Sequence, residues 1–318
     1  MALLYVENLG VGYRTAKGFL KAVEGVSFSL EEGCSLGLVG ESGCGKTTIG
    51  MALLRLLPSN ASIFEGRIVF EGRNLIDLSE EEMRRVRWKK IAMIFQAAMN
   101  ALNPVHRVDE QIAEALIAHG ETKSREEADA RVRGLFELVG IPEERMKDYP
   151  HQYSGGMKQR AVIAMALACR PRLIIADEPT TALDVIVQDQ ILEATKELQR
   201  EFNIGMIFIS HDISVVAEVC DDIGIMYAGQ LVEYGPREAV FQEPVHPYTK
   251  ALLESYPTLE GRKSRLKPIP GEMPNLIAPP SGCRFCDRCP GAGSACRMEP
   301  ASWVQVGPRH MALCLACK

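Results

Sequence analysis

The stretch Gly40-Glu-Ser-Gly-Cys-Gly-Lys46-Thr47 constrains this chain more than any other. The apolar run Leu36–Val39 leads directly into it. Ile49, Ala52, Leu53 and Leu56 follow on one helical face, until Pro58 stops the pattern. A strand turning through glycines into a helix aims backbone N–H groups inward, and the helix N-terminus adds positive potential. Such a loop is built to hold phosphate. Gly40, Ser42, Gly43, Gly45, Lys46, Thr47 and Thr48 are therefore candidate nucleotide contacts. Lys46 is placed to bridge β- and γ-phosphate oxygens, and the Thr47 hydroxyl to hold Mg²⁺. Cys44 reads as a small residue filling space within the loop.

The rest of the pattern fits a core of alternating strands and helices. Residues 1–40 read as β-rich, through Leu4, Val6 and Leu9, then Ala22 to Leu30, then Leu36 to Val39. Residues 98–150 read as mostly helical. Ser124-Arg-Glu-Glu127 is expected to be a capping box, with Ala128, Val132, Leu135, Phe136 and Val139 at helical spacing before a Gly140 stop. Two short apolar strands, Leu173–Ala176 and Met206–Ser210, flank a helix around Ile191–Leu198, which indicates a parallel sheet. The first ends in Asp177-Glu178, suited to the Mg²⁺ shell and to the attacking water. The second ends in His211. Polar residues at the carboxyl ends of parallel strands converge where such sheets bind ligands. Ser154, in Tyr153-Ser-Gly-Gly-Met157, is placed to cap a helix from about Lys158 to Cys169, giving a second phosphate-facing helix start. One nucleotide needs one such start, so two argue for a dimer in which each chain completes the other's site.

Composition narrows the setting. The net charge of −5 implies no strong nucleic-acid or membrane field, although residues 262–318 hold nine Lys/Arg against three Asp/Glu. The opening MALLYVENLG lacks the basic and apolar halves of a secretory signal, and no apolar run approaches the roughly 20 residues that span a bilayer. A reducing compartment is expected, which disfavours disulfides for the cysteines at 283, 286, 289, 296, 314 and 317. Metal is the alternative. Cys283-x₂-Cys286-x₂-Cys289 matches one ferredoxin spacing, and tetrahedral thiolate sites also suit zinc. Prolines at 257, 268, 270, 274, 279 and 280 suggest an extended connector before this module.

Taken in order, these motifs resemble the ATP-binding subunits of ABC transporters. The resemblance identifies Gln96 in "IFQ", Ser154–Gly156 with Gly155 at its centre, Asp184 in "ALD" and His211 as the Q-loop, signature, D-loop and switch histidine. It implies an α/β P-loop cassette with an N-terminal antiparallel β part, a helical subdomain over about 98–165 and a small Cys-rich extension. It gives Tyr13 the role of stacking on adenine, Gln96 a place beside the metal, and Glu178, His211 and Gln96 the catalytic work. "LNPV", "MYAGQLVEYG" and "PVHPYTKALLESYP" resemble the oligopeptide/dipeptide importer subfamily, in particular its D-type ATPase. That implies cofactors ATP, Mg²⁺ and a [4Fe–4S] cluster on Cys283, Cys289, Cys296 and Cys314, with Zn²⁺ the alternative. Cys286 and Cys317 are extra to that pattern. The implied domains are a nucleotide-binding domain at 1–256, a connector at 257–282 and the cysteine module at 283–318. Implied partners are a second, F-type ATPase in a heterodimer, two permease subunits and a substrate-binding protein, without nucleic acid, at the cytoplasmic face of the membrane. The competing expectation is a soluble ABC ATPase whose zinc module acts on nucleic acid, favoured mildly by the basic tail.

Overall fold

The computed structural model describes residues 2–96, 101–181, 183–255 and 269–315. In chain order it opens with β1 (Leu4–Thr15), β2 (Gly18–Leu30), β3 (Ser35–Val39), α1 (Lys46–Leu53), β4 (Ala61–Phe70) and β5 (Arg73–Asn74). Next come α2 (Glu80–Val86), β6 (Ile91–Ile94), α3 (Val108–Ala118), α4 (Arg125–Leu138), α5 (Gly155–Leu167) and β7 (Leu173–Asp177). They are followed by α6 (Val185–Phe202), β8 (Gly205–Ser210), α7 (Ile213–Val219), β9 (Asp222–Tyr227) and β10 (Gln230–Pro236). The chain closes with α8 (Arg237–Gln242), α9 (Pro247–Glu254), α10 (Ser294–Met298), β11 (Trp303–Gly307) and β12 (His310–Leu313). These elements fall into two compact units.

The first unit, here the loop unit, combines residues 2–30, 35–76 and 209 onward. Its antiparallel sheet has the order β2-β1-β4-β5, with Leu4 opposite both Leu30 and Phe70. Leu4 and Val6 are buried while Tyr5 between them stays exposed, as the two-residue period requires, and a register shift between Val6 and Leu9 carries the buried positions over to Leu9 and Val11. A second run of strands has the order β11-β12-β10-β9-β3, and its β3–β9 pair is parallel. β3 is buried along its whole length, in keeping with its uninterrupted apolar sequence. β9 and β10 form a hairpin whose two loop residues, Ala228 and Gly229, both have positive φ. Right-twisted strands favour that kind of turn.

The cysteine-bearing tail packs within this same unit. β12 extends the sheet beyond β10, with Glu233 opposite Ala312. Glu233 is fully buried and accepts bonds from the backbone N–H groups of Val245 and His246, both at 2.9 Å, and lies 2.8 Å from Nε2 of His310. A buried carboxylate survives only with such partners, so Glu233 ties α9's leading segment and the terminal hairpin to one strand. The described part of the proline-rich segment, 269–282, forms no helix or strand, as expected; residues 257–268 lie outside the described residues.

The second unit, the helical unit, comprises 31–34 and 77–208. β6 and β7 pair in parallel, Ile91 with Leu173 and Ile94 with Ala176, and β7 is fully buried. Ala128, Val132 and Phe136 form the buried face of α4, and Gly140 ends that segment at φ 68°. The expected capping box at Ser124 is only half formed. Ser124 Oγ accepts from the Glu127 N–H at 3.2 Å, but the Glu127 carboxylate takes the N–H of Lys123. α2 does form the full reciprocal box, through Ser79 and Glu82.

Candidate functional site

In the loop unit the glycine-rich turn is held from below. Gly45 caps α1 at φ 105°, and a Cβ there would lie 2.5 Å from the Ala22 carbonyl. At Gly40 a Cβ would meet the Met226 carbonyl at 2.1 Å. Only glycine lets the backbone sit this low against those carbonyls. Lys46 is buried, and its ammonium group donates to the carbonyls of Gly40 at 2.7 Å and Glu41 at 3.0 Å. The cation thus sits in the loop's own mouth, where incoming phosphate oxygens can replace those two carbonyls. Thr47, Ser42 and Gly43 are exposed. Cys44 is fully buried, and burial raises its thiol pKa, as suits a filler rather than a reactive group.

Two further expected residues gather at this loop. The Tyr13 hydroxyl lies 3.1 Å from that of Thr48, which fixes the half-buried ring beside α1. His211 shares a cavity of about 340 Å³ with Gly40, Glu41, Leu252, Ile269 and Arg288. A larger cavity of about 580 Å³, lined by Leu135, Leu138, Leu167 and Phe202, lies in the helical unit and contains no candidate chemical residue.

In the helical unit, Asp177 closes β7 in a buried position. Glu178 follows at φ 48°, a left-handed conformation that non-glycine residues adopt at some cost. Its carboxylate accepts from Gln96 Nε2 at 2.9 Å and from the Thr181 hydroxyl at 3.0 Å, so two separately identified residues, Gln96 and Glu178, meet. Ser154 caps α5, its Oγ accepting from the Met157 N–H. A Cβ on Gly156 would come within 2.8 Å of Val187, so the close approach of α6 demands glycine. Asp184 caps α6 through the Val187 N–H at 3.0 Å. Tyr153 buries its ring and donates its hydroxyl to the Arg145 carbonyl at 2.9 Å, which braces the residue leading into Ser154.

The donor sets match their expected guests unequally. In the helical unit the Asp177 carboxylate, and in the loop unit the Thr47 hydroxyl, are each oxygen donors of the kind a hard Mg²⁺ ion takes, and the glycine cradle with Lys46 suits a nucleotide's phosphates. In the tail, Cys283 and Cys289 each lie in the field of Cys314 and Cys286, and Cys289 also in that of Cys296. Burial pushes Cys283 up to about 11 and raises Cys289, which favours the neutral thiols. Among the described residues no three His, Cys, Asp or Glu side chains gather closely enough to share one metal ion. That spacing bears alike on a closed zinc site and on a [4Fe–4S] cluster, since both need several thiolates around one centre, and the described side chains as they stand form neither. Cys286 Sγ lies 3.8 Å from Asp287 Oδ1. Cys317 lies outside the described residues.

Of the nine basic residues of the tail, the feature that pointed to nucleic acid, the four among the described residues are all paired internally; the other five lie outside the described residues. Arg284 pairs with Glu24, Arg288 with Glu41, Arg297 with Asp287 and Arg309 with Asp222. Glu41, Arg284 and Arg288 escaped sequence reasoning. Glu41 occupies a variable position of the loop pattern, and its arginine partner lies 247 positions away.

Comparison with known proteins agrees with this geometry. The family described as "ABC transporter" matches residues 23–181, and "Oligopeptide/dipeptide transporter, C-terminal region" matches 232–296. The chain is similar to the dipeptide transport ATP-binding protein DppD of Bacillus subtilis (strain 168), at 48% identity over 95% of this chain and 91% of that protein. It is similar to the oligopeptide transport ATP-binding protein OppD of Escherichia coli (strain K12), at 48% over 94% and 89%. Among solved structures it resembles the ATP-binding cassette MJ0796, in a dimeric post-hydrolysis state bound to ADP and Pi. That match has a TM-score of 0.66 at 28% identity, over 74% of this chain and 98% of the cassette.

Proposed function

This chain belongs to the ABC transporter family, within its oligopeptide/dipeptide branch, and from that premise we propose how its residues power import. It is the ATP-binding and ATP-hydrolysing subunit of an importer for oligopeptides, dipeptides or a related small solute. The observation that carries the reading is the intact phosphate loop with the Lys46 ammonium buried at its mouth.

In this reading Gly40 to Thr48 cradle the triphosphate and Tyr13 stacks on adenine. Thr47, Asp177 and Gln96 would hold Mg²⁺, which supplies charge neutralisation between the β- and γ-phosphates when bound. Glu178 orients and polarises the attacking water, held in register by Gln96, while His211 attends the γ-phosphate side. The exposed caps Ser154–Gly156 and Asp184 serve the nucleotide of a second ATPase, an F-type subunit, across a closing dimer. Residues 1–256 act as the nucleotide-binding domain. Gln96 and the helical segment 98–165 pass its motion to two permease subunits at the cytoplasmic face, and a binding protein delivers solute to those permeases. Among the described residues no helix is long and apolar enough to cross a membrane, so membrane association runs through those subunits. Residues 283–318, reached by the connector 257–282, hold a [4Fe–4S] cluster through Cys283, Cys289, Cys296 and Cys314. What supports this is the family pattern these four cysteines match and the electrostatic proximity of Cys283 and Cys289 to Cys314, and of Cys289 to Cys296. When bound, the cluster supplies a covalent cross-link between segments that few apolar residues hold together.

Reconstitution with the two permeases in liposomes tests the proposal. Peptide-loaded binding protein should stimulate ATP turnover and peptide should accumulate inside. ATP turnover indifferent to loaded binding protein, with no accumulation, would overturn it.

A further inference from the structure

We propose that Arg288, inside the cysteine-rich tail, is a positioning residue for the phosphate loop, acting through Glu41. The guanidinium meets the Glu41 carboxylate with two parallel bonds, Nη1 to Oε2 and Nη2 to Oε1, both 2.9 Å. Its remaining donors reach the Pro270 carbonyl at 2.7 Å, the Ile269 carbonyl at 3.3 Å and the Tyr227 hydroxyl at 3.3 Å. The side chain is 5% exposed, and the guanidinium also lies over the Tyr227 ring at 5.5 Å. A fork-to-fork pair shielded from water is geometrically specific as well as strong.

Glu41 is a junction of the loop. Its carboxylate is fixed by Arg288, and its N–H donates to the Tyr248 hydroxyl at 3.0 Å. Its carbonyl accepts from Lys46 at 3.0 Å and from the Cys44 N–H at 3.2 Å. The atom that parks the Lys46 ammonium therefore belongs to the residue that the tail grips. Arg284 makes a second grip on the floor of the loop. It pairs with Glu24 and donates to the Ala228 carbonyl at 2.5 Å, while neighbouring Gly229 donates its N–H to Cys44 at 3.0 Å. Between the two arginines Phe285 is fully buried against Tyr227 and Tyr248. Because both arginines lie between Cys283 and Cys289, the conformation of that segment sets the rest position of the loop. Tail integrity and nucleotide affinity are thus coupled, and each favours the other by linkage.

The inference rests on ATP binding at Gly40–Thr48, so its test includes a readout that needs no nucleotide. In the full-length protein, Arg288→Gln should weaken ATP binding about tenfold. It should also speed amide exchange across Glu41–Lys46 of the nucleotide-free protein about tenfold, while exchange in the β6–β7 pair stays unchanged. Arg288→Lys, a cation without the fork, should rescue only in part. Glu41→Gln separates positioning from charge. If Arg288 merely cancelled a carboxylate near the phosphates, Glu41→Gln would tighten ATP binding. Positioning predicts that it weakens binding several-fold, and that the double variant is no worse than Arg288→Gln alone. Glu41→Gln leaves the tail's sequence intact, so it also serves if Arg288 variants fold poorly. Unchanged loop exchange in both variants, or tighter ATP binding by Glu41→Gln, would overturn the proposal. Absence of ATP binding by the unmodified protein would instead remove the nucleotide reading, while the exchange measurement would still report on the latch.

Discussion

The loop unit and the helical unit carry their functional residues in opposite ways. In the loop unit Lys46 and Arg288 are buried and Glu41 half-buried, each holding two or more polar partners, and the loop rests on backbone carbonyls beneath its glycines. In the helical unit Gln96, Ser154 and Asp184 are exposed at element ends, and Val185 and Ile186, which follow Asp184, are 72% and 71% exposed. In the proposed function the Ser154 and Asp184 ends are the ones a second chain would cover. The contrast is between a phosphate loop that is ready built and residues offered outward.

The largest expected effect falls in the helical unit. Glu178→Gln should lower ATP turnover of the assembled complex by about 10²- to 10⁴-fold, the range for losing a catalytic base. ATP affinity of the isolated chain should stay within about twofold. Near wild-type turnover with this variant in a complex whose second ATPase has been inactivated would remove Glu178 from its role and blur the contrast between units.

Phe285→Ala attacks the prebuilt half. Deleting a fully buried ring among Tyr227, Tyr248 and His246 should cost about 3–5 kcal/mol in urea unfolding. Protection of the phosphate-loop amides should fall with it. A loss below about 1 kcal/mol would mean that the tail is a loosely attached appendage.

Acid should sharpen the contrast next. Burial lowers the His246 pKa to about 4, and its Nδ1 accepts the Tyr248 N–H at 3.1 Å, so the fold requires the neutral ring. The unfolded chain titrates near 6.5 and binds the extra proton first. Its contribution is therefore fully present above about pH 6.5 and lost as pH falls towards 4, by roughly 3 kcal/mol in all. Urea midpoints between pH 7.5 and 4.5 should show this decline, and His246→Asn should flatten it. An identical decline in the variant would assign the acid sensitivity elsewhere.

How much of this was legible from sequence also differs between the units. Gly40–Thr47, the buried β3 and β7 strands, the Ser154 cap and the α4 face follow from local pattern, because each depends on neighbours within a few residues. The terminal hairpin β11–β12 was not legible. Its strands are short, and they are held by pairing with β10 and by His310 against Glu233, 77 positions away. The β4 strand was missed because Phe64-Glu65-Gly66 breaks its apolar alternation; Gly66, at φ 97°, sits where β1 shifts register. The Gln96–Glu178 contact joins residues 82 positions apart that local pattern could name but not bring together. Both arginines of the tail read as surface charge, because only folding supplies Glu24 and Glu41 to bury them.

Gly155→Asp tests most directly the claim that this chain holds one nucleotide and completes the site of another. In the proposed function a carboxylate at the start of α5 would repel the γ-phosphate of the nucleotide held by the second chain. ATP affinity of the isolated variant should match the unmodified protein, while turnover of the assembled complex should fall at least tenfold. Collapse of ATP binding by the isolated variant would contradict the account, because the exposed signature would then serve the chain's own nucleotide.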